Sequence, residues 1–183
     1  GFRSEISSLI GAYVLCVKEH LRDGITQKEL KGLSAANREE LEKFSSPING
    51  ILSILGKRLH SCIDQKWMAP PEFGSFNSSL DDLQAVLRAL DRIRFTPLPF
   101  AYVNQLKVFM MIYLGTLPLV LIPKFDYLTL IGMFFAVYAF VGIEEIGLEI
   151  EDPFGDDPND LPIEQICQGT KRDVAEILGV KNN

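Results

Sequence analysis

Two uncharged apolar runs set the limits on what this chain can fold into. Val108–Ile122 is fifteen residues without a charge, Tyr127–Ile143 is seventeen more, and only Pro123, Lys124, Phe125 and Asp126 separate them. A helix rises ~1.5 Å per residue and a hydrocarbon layer is ~30 Å thick, so a crossing needs about 20 residues. Extending the first run back through Phe100–Lys107 makes it long enough, and Lys124 and Tyr127 supply interfacial anchors for the second. Met110–Leu114 and Met133–Val141 are apolar on every helical face, where the surface helix of a soluble protein keeps a polar side. The runs therefore read as an antiparallel transmembrane helical hairpin, with the tight connection at 123–126 and a kink expected at Pro118. The competing reading is a buried helix pair inside a soluble core.

The rest of the chain is charged in a pattern that fits this picture. Charge is spread through residues 1–95, nearly absent from 108–143, and mainly acidic from 144–164, for a net −6 over 183 residues. That balance, with no basic stripe, argues against a nucleic-acid partner, because phosphate binding relies on clustered Lys and Arg. Arg88, Arg92 and Arg94 precede the hairpin and favour a cytoplasmic location for that end, and an even number of crossings returns the tail to the same side. The chain is thus expected to be a multi-pass membrane protein with both of its ends cytoplasmic. Gly1 replaces an initiator Met, and Phe2–His20 lacks the pattern of a signal peptide, so a truncated or internal start is expected.

Before the hairpin the periodicity predicts amphipathic helices. Ile6, Leu9, Ile10, Tyr13, Val14, Val17 and Leu21 lie on one stripe of a helix that runs to about Arg22 and stops at Gly24. Ser34–Asn37 offers caps for a short helix through Glu42, and Ser46-Pro47 reads as an N-cap followed by Pro at the first helical position. That second helix carries Ile51, Leu52, Ile54, Leu55, Leu59 and Ile63 and ends before Pro70 and Pro71. Phe73–Ser79 reads as a loop, with Ser78 or Ser79 capping a helix whose apolar stripe is Leu83, Val86, Leu87, Leu90 and Ile93, and with Asp81 and Asp82 in its first turn. Pro97 and Pro99 break it.

Candidate sites are few. Glu144, Glu145, Glu149, Glu151, Asp152, Asp156, Asp157 and Asp160 are eight carboxylates within seventeen residues that contain no Lys or Arg. Such a cluster is solvated, caps a helix, or binds a hard cation such as calcium. The spacing is not that of an EF-hand, and Asn159 or Asp160 is placed to cap a last helix that begins near Pro162. Cys16, Cys62 and Cys167 are far apart and read as buried thiols; His20 and His60 lack a second His at metal-ligand spacing. No nucleophile elbow, phosphate loop or supported Cys/His pair is present, so the chain reads as a non-enzyme with no cofactor, calcium being the one alternative. Lys107, at the edge of the first run, is read as snorkelling to the interface, with a pore-facing position as the alternative.

Three stretches carry a family resemblance: Arg94-Phe95-Thr96-Pro97-Leu98-Pro99-Phe100-Ala101-Tyr102; the hairpin after it; and Glu149-Ile150-Glu151-Asp152-Pro153-Phe154-Gly155 with Asn159-Asp160-Leu161-Pro162. In these the chain resembles the bestrophin-like anion channels, in particular their microbial, fungal and plant relatives, and it matches the later part of a family member. Residues 1–22 look like the cytosolic continuation of that family's second membrane segment, and the pore neck belongs to a segment that would precede Gly1. The resemblance implies a homopentamer that passes small anions, chloride first, through a pore with a second, cytosolic constriction. Ile93 is the choice for that constriction, with Thr96 as the alternative. In animal members the acidic stretch forms a calcium clasp, which places Asp152, Asp156, Asp157 and Asp160 at comparable positions, while Pro158 and the Asn-Asp-Leu-Pro ending follow the microbial pattern.

The expectation is therefore an all-α, multi-pass membrane protein: a cytosolic helical region over 1–95, a transmembrane hairpin over 96–143, and a cytosolic acidic turn with a C-terminal helix over 144–183. Its function is read as passive transport of small anions by a self-associated homopentamer set in membrane lipid. A non-conducting membrane-bound regulatory or interaction subunit that lacks the pore neck is the alternative.

Overall fold

The computed structural model describes residues 1–22, 24, 30–96, 99–155 and 157–180. Pro97, Leu98 and Asp156, which the sequence reading used, lie outside the described residues. Among those described there are seven helices and no strand: α1 (Phe2–Leu21), α2 (Ala35–Leu41), α3 (Pro47–Asp64), α4 (Pro70–Phe95), α5 (Phe100–Phe125), α6 (Leu128–Glu151) and α7 (Ile163–Leu178). They form two compact units, Gly1–Arg94 with Leu161–Asn183, and Phe95–Asp160.

In the first unit α1 packs on α7 and α3, and α2 on α3. The predicted stripe of α1 supplies Leu9, Tyr13 and Leu21 as buried residues; Ile6, Ile10, Val14 and Val17 pack against the core made with Leu41, Ile48, Ile51, Ile54 and Leu55. Backbone chemistry fixes the ends as expected. Ser34 and Ser46 accept from the amides of Asn37 and Asn49, and Pro47 opens α3. At the close of α1 the Gly24 amide donates to the Glu19 carbonyl at 2.7 Å with φ of 94°, a left-handed exit that glycine takes without strain. Gly50 is needed for contact rather than for φ: a β-carbon there would lie 2.7 Å from Leu41 Cδ2.

A closed polar ring staples α1, α2 and α3. Glu5 Oε1 accepts from Arg58 Nε at 2.8 Å and from Asn37 Nδ2 at 3.2 Å, and Arg58 Nη2 donates to Asn37 Oδ1 at 3.1 Å. Asn37 has 0% of its surface exposed, so both ends of its amide are committed inside protein. Cys16, Cys62 and Cys167 are all buried and form no disulfide; burial pushes the Cys167 thiol upward, and its Sγ donates to the Val14 carbonyl.

α7 is held to α1 by charge as well. Lys18 Nζ donates to Glu164 Oε2 at 2.8 Å, which holds the Glu164 carboxyl below its usual 4.5, with Gln168 adding a second hydrogen bond; the same contacts, Glu164 first and then Glu19, raise Lys18 above its usual 10.5. A carboxylate lowered by folding stabilises above its unfolded value and loses that contribution as pH falls through the folded value. A raised lysine stabilises below its unfolded value and loses the contribution as pH rises through the folded one. Stability is thus expected to be flat between about 4.5 and 10.5 as far as this pair is concerned and to fall below and above that window. With half of the Glu164 side chain open to solvent, the amplitude is about 1 kcal/mol or less. Lys18→Met should remove the acid-side slope that this pair contributes to urea midpoints measured from pH 3 to 6; an unchanged slope rejects the assignment.

α4 departs from the sequence reading in two ways. The helix begins at Pro70 and runs unbroken through the expected loop at 73–79. Both prolines sit in its first turn, where a missing N–H costs nothing, and Glu72 Oε2 reaches back to accept from the Ala69 amide at 2.9 Å, so the start is capped eight residues before Ser78. Asp81 and Asp82 consequently lie mid-helix, not in a first turn. The apolar stripe is also rotated. Leu87 is buried and Leu80 packs on the core, while Val86 and Ile93 remain 55% and 54% exposed. The inward face is fixed by polar contacts: Tyr13 Oη donates to the Leu83 carbonyl at 3.0 Å, and His20 Nε2 lies 2.8 Å from Asp91 Oδ1.

The second unit is the hairpin. α5 has 26 residues and α6 has 24, about 39 and 36 Å at 1.5 Å per residue, and both are long and apolar enough to cross a membrane. α5 remains helical through Pro118 and Pro123, which shortens the connection to Asp126–Tyr127. Asp126 takes φ of 48° there. No residue of α5 is buried and only Thr129 of α6 is, so almost the whole apolar surface faces outward. A pair inside this chain's own core would be covered; this one is not, which counts against the competing reading.

Candidate functional site

An ionic contact joins the two helices of the hairpin. Lys107 Nζ lies 3.1 Å from Glu144 Oε1, bridging α5 and α6, with side-chain exposures of 43% and 28%. Each residue stands one position outside its uncharged run, at nearly mirrored distances from the connecting turn. Antiparallel packing therefore brings them together. The sequence reading sent Lys107 to the interface alone and missed Glu144, although the mirrored spacing was available as a signal. Tyr113 and Phe140 meet one to two turns deeper, with ring centroids 5.4 Å apart and planes tilted by 59°. A groove of ≈ 460 Å³ follows the same seam, walled by Tyr102, Leu106, Met110, Phe140 and Ile143, with Lys107 and Glu144 on its border.

Beyond the uncharged run α6 continues as helix through Glu144, Glu145, Glu149 and Glu151, so half of the acidic cluster is helical. Among the described residues, Asp152, Asp157 and Asp160 belong to a self-bonded turn. Asp152 Oδ1 accepts from the Phe154 amide at 3.3 Å, Asp160 Oδ2 accepts from the Asp157 amide at 2.7 Å, and Asn159 Nδ2 donates to Glu149 Oε1 at 2.8 Å. A β-carbon at Gly155 would meet Asp160 Oδ2 at 2.6 Å, so any side chain there would displace the Asp160 carboxylate. Neither Asn159 nor Asp160 caps the last helix: α7 starts after Pro162 without a side-chain cap, since both side chains are engaged inside the turn. Among the described residues no three His, Cys, Asp or Glu side chains come together as a metal-binding group, and Asp152 and Asp160 already serve backbone amides.

Of the residues named for a constriction, Ile93 projects from the outward side of α4, two turns after the equally exposed Val86, and Thr96 is exposed just beyond the helix.

The hairpin, the acidic turn and the first unit recur together in known proteins. A sequence profile described as Bacterial/Fungal Bestrophin protein matches residues 2–176. The chain belongs to the bacterial/fungal bestrophin family. Among curated relatives, a voltage-dependent anion channel-forming protein of Nostoc sp. is 31% identical over 179 residues, covering 97% of this chain and 58% of its own length. YneE of Escherichia coli K12, named a voltage-dependent anion channel-forming protein, is 30% identical over 174 residues, covering 94% of this chain and 57% of its own. The crystal structure of a bacterial bestrophin homolog from Klebsiella pneumoniae superposes with a TM-score of 0.90 at 27% identity, over 99% of this chain and 68% of that one. The chain thus spans under three-fifths of the two curated relatives, and its all-helical, multi-pass membrane architecture is that of the bestrophin family.

Proposed function

We propose that this chain is a subunit of a passive anion channel, self-associated as a homopentamer in lipid, with chloride as the favoured ion and both described ends on the cytoplasmic side. The observation that carries the reading is the hairpin: 26- and 24-residue helices that are apolar and almost wholly uncovered, closed by an internal ion pair. Such a surface is stable only against lipid or other copies of the chain. The names of the Nostoc and E. coli relatives support the ion class. No chemical step is involved. Ile93 is taken as the cytosolic constriction: in a ring of copies an apolar side chain makes passage costly by stripping water from the ion.

Reconstitution of the complete gene product in liposomes should give chloride efflux down its gradient; protein-free rates would overturn the reading. Ile93→Ala is expected to raise single-channel conductance or alter its selectivity while the native mass of the assembly stays the same. Recordings identical to the parent place the constriction elsewhere.

A further inference from the structure

We infer that the two outer faces of the hairpin are complementary to each other, and that in the assembly the Tyr138 hydroxyl of one copy donates a hydrogen bond to Thr116 Oγ1 of the next; this rests on the reading that the chain self-associates in lipid. The starting point is the supply of polar side chains. Val108–Ile122 carries hydroxyls only at Tyr113 and Thr116, Tyr127–Ile143 only at Tyr127, Thr129 and Tyr138, and every other side chain in both runs is apolar. Tyr113 meets Phe140 across the seam, Thr129 is buried, and Tyr127 stands in the connecting turn. Thr116 and Tyr138 remain. Both are exposed, Tyr138 by 73%.

Direction and depth bring these two together between copies, not within one. At about 100° per residue, Tyr138 lies about 160° around α6 from Phe140, and Thr116 about 180° around α5 from Lys107, so each points away from the seam that Phe140 and Lys107 help to close. Measured from the Asp126–Tyr127 connection at about 1.5 Å per residue, Thr116 stands about 15 Å and Tyr138 about 16.5 Å along its helix. That is the middle of a ~30 Å hydrocarbon layer. Copies related by an axis normal to the membrane share one depth, so the outer face of α6 in one copy presents Tyr138 at the height of Thr116 on the outer face of α5 in the next. The hydrogen-bonding capacities fit. Thr116 shares its one hydroxyl proton between the Ile112 and Tyr113 carbonyls of its own helix, at 2.9 and 3.1 Å, which leaves its oxygen able to accept. Tyr138 has a proton to give and, among the described residues, no acceptor for it. Lipid chains offer none, so a phenol at this depth is costly until another protein group takes its proton. Gly115, next to Thr116, leaves room for the ring, since a β-carbon there meets nothing within 4 Å. Because the contact joins two different faces, it repeats head to tail and closes a ring of several copies.

The test uses the complete gene product in lipid, prepared as two differently tagged copies and mixed. With Tyr138→p-benzoylphenylalanine, a photoreactive side chain that keeps the aromatic ring, irradiation should join the two tags through the Met111–Leu119 segment of the other copy. Capture of the same copy only, or of lipid only, overturns the pairing. Energy transfer between copies, followed as the protein is diluted in lipid, supplies the second measurement. Tyr138→Phe and Thr116→Val should each weaken association roughly threefold to twentyfold, the range of hydrogen bonds between membrane helices, and the double variant should be no weaker than either alone. Thr116→Ser, which keeps the hydroxyl, should match the parent. Losses that add in the double variant, or a serine variant as weak as the valine one, overturn the inference, as does a full set of variants that associate like the parent; in each of these cases self-association stands. A parent that shows no transfer between copies at any dilution overturns self-association itself, and the inference falls with it.

Discussion

Replacing Asn37 with leucine is expected to destabilise the Gly1–Arg94 unit by about 2–4 kcal/mol, because it removes the one side chain that both donates to Glu5 and accepts from Arg58. Leucine fills a similar volume, so little of the loss is cavity formation. What remains is an acid and a guanidinium, each deprived of a partner in a half-enclosed site. Their mutual contact at 2.8 Å persists and caps the loss. In thermal melts followed by far-UV circular dichroism the change corresponds to a fall of roughly 6–15 °C. The triple variant Glu5→Leu, Asn37→Leu, Arg58→Met, which leaves no stranded polar group, should melt closer to the parent than Asn37→Leu alone. A single variant that melts with the parent would mean that the ring is held only incidentally.

The second large effect is expected in the hairpin. Lys107→Met leaves the Glu144 carboxylate without its 3.1 Å partner at the point where both helices enter their uncharged runs. A lone charge inside a bilayer costs roughly 2.5–3.5 kcal/mol on insertion scales, and the partial exposure of both side chains places this pair toward the lower end. The measurable outcome is a lower yield of detergent-extracted assembly and a lower melting temperature. Glu144→Gln should show the same sign, with the unpaired lysine reaching for the interface and losing less. Joining the two changes should restore most of the loss, since neither helix then carries an orphan charge, and the deviation from additivity measures the coupling. Additive losses would show that the two residues do not act on each other.

The hairpin, the caps and the apolar stripes of α1 and α3 were legible because each is written in neighbouring residues: uncharged runs, Ser46 before Pro47, and apolar residues at helical spacing. The start of α4 was not. Gly74, Ser75, Asn77, Ser78 and Ser79 argue locally against helix, and the decisive contact, Glu72 on the Ala69 amide, makes Pro70 and Pro71 an opening rather than a stop. The stripe of α4 was misjudged for another reason. Periodicity reports that apolar residues share a face but not which face meets the core; Tyr13 and His20, 70 and 71 residues away from their partners, decide that. The capping role given to Asn159 or Asp160 failed because both found acceptors and donors inside the acidic turn first.

One arrangement bears on how the protein is made. The helix that seals the outer side of α1, through Cys167 against Val14 and Glu164 on Lys18, is α7, which is synthesised after the hairpin. Between their synthesis lie two stretches that partition into lipid, so the greasy flank of α1 waits uncovered while the hairpin is inserted. Translation must pass the hairpin and reach α7 before the unit can close. During that interval the nascent polypeptide presents an adhesive surface, and a cell that produces this protein in quantity needs a chaperone, or a neighbouring nascent copy, to shield it.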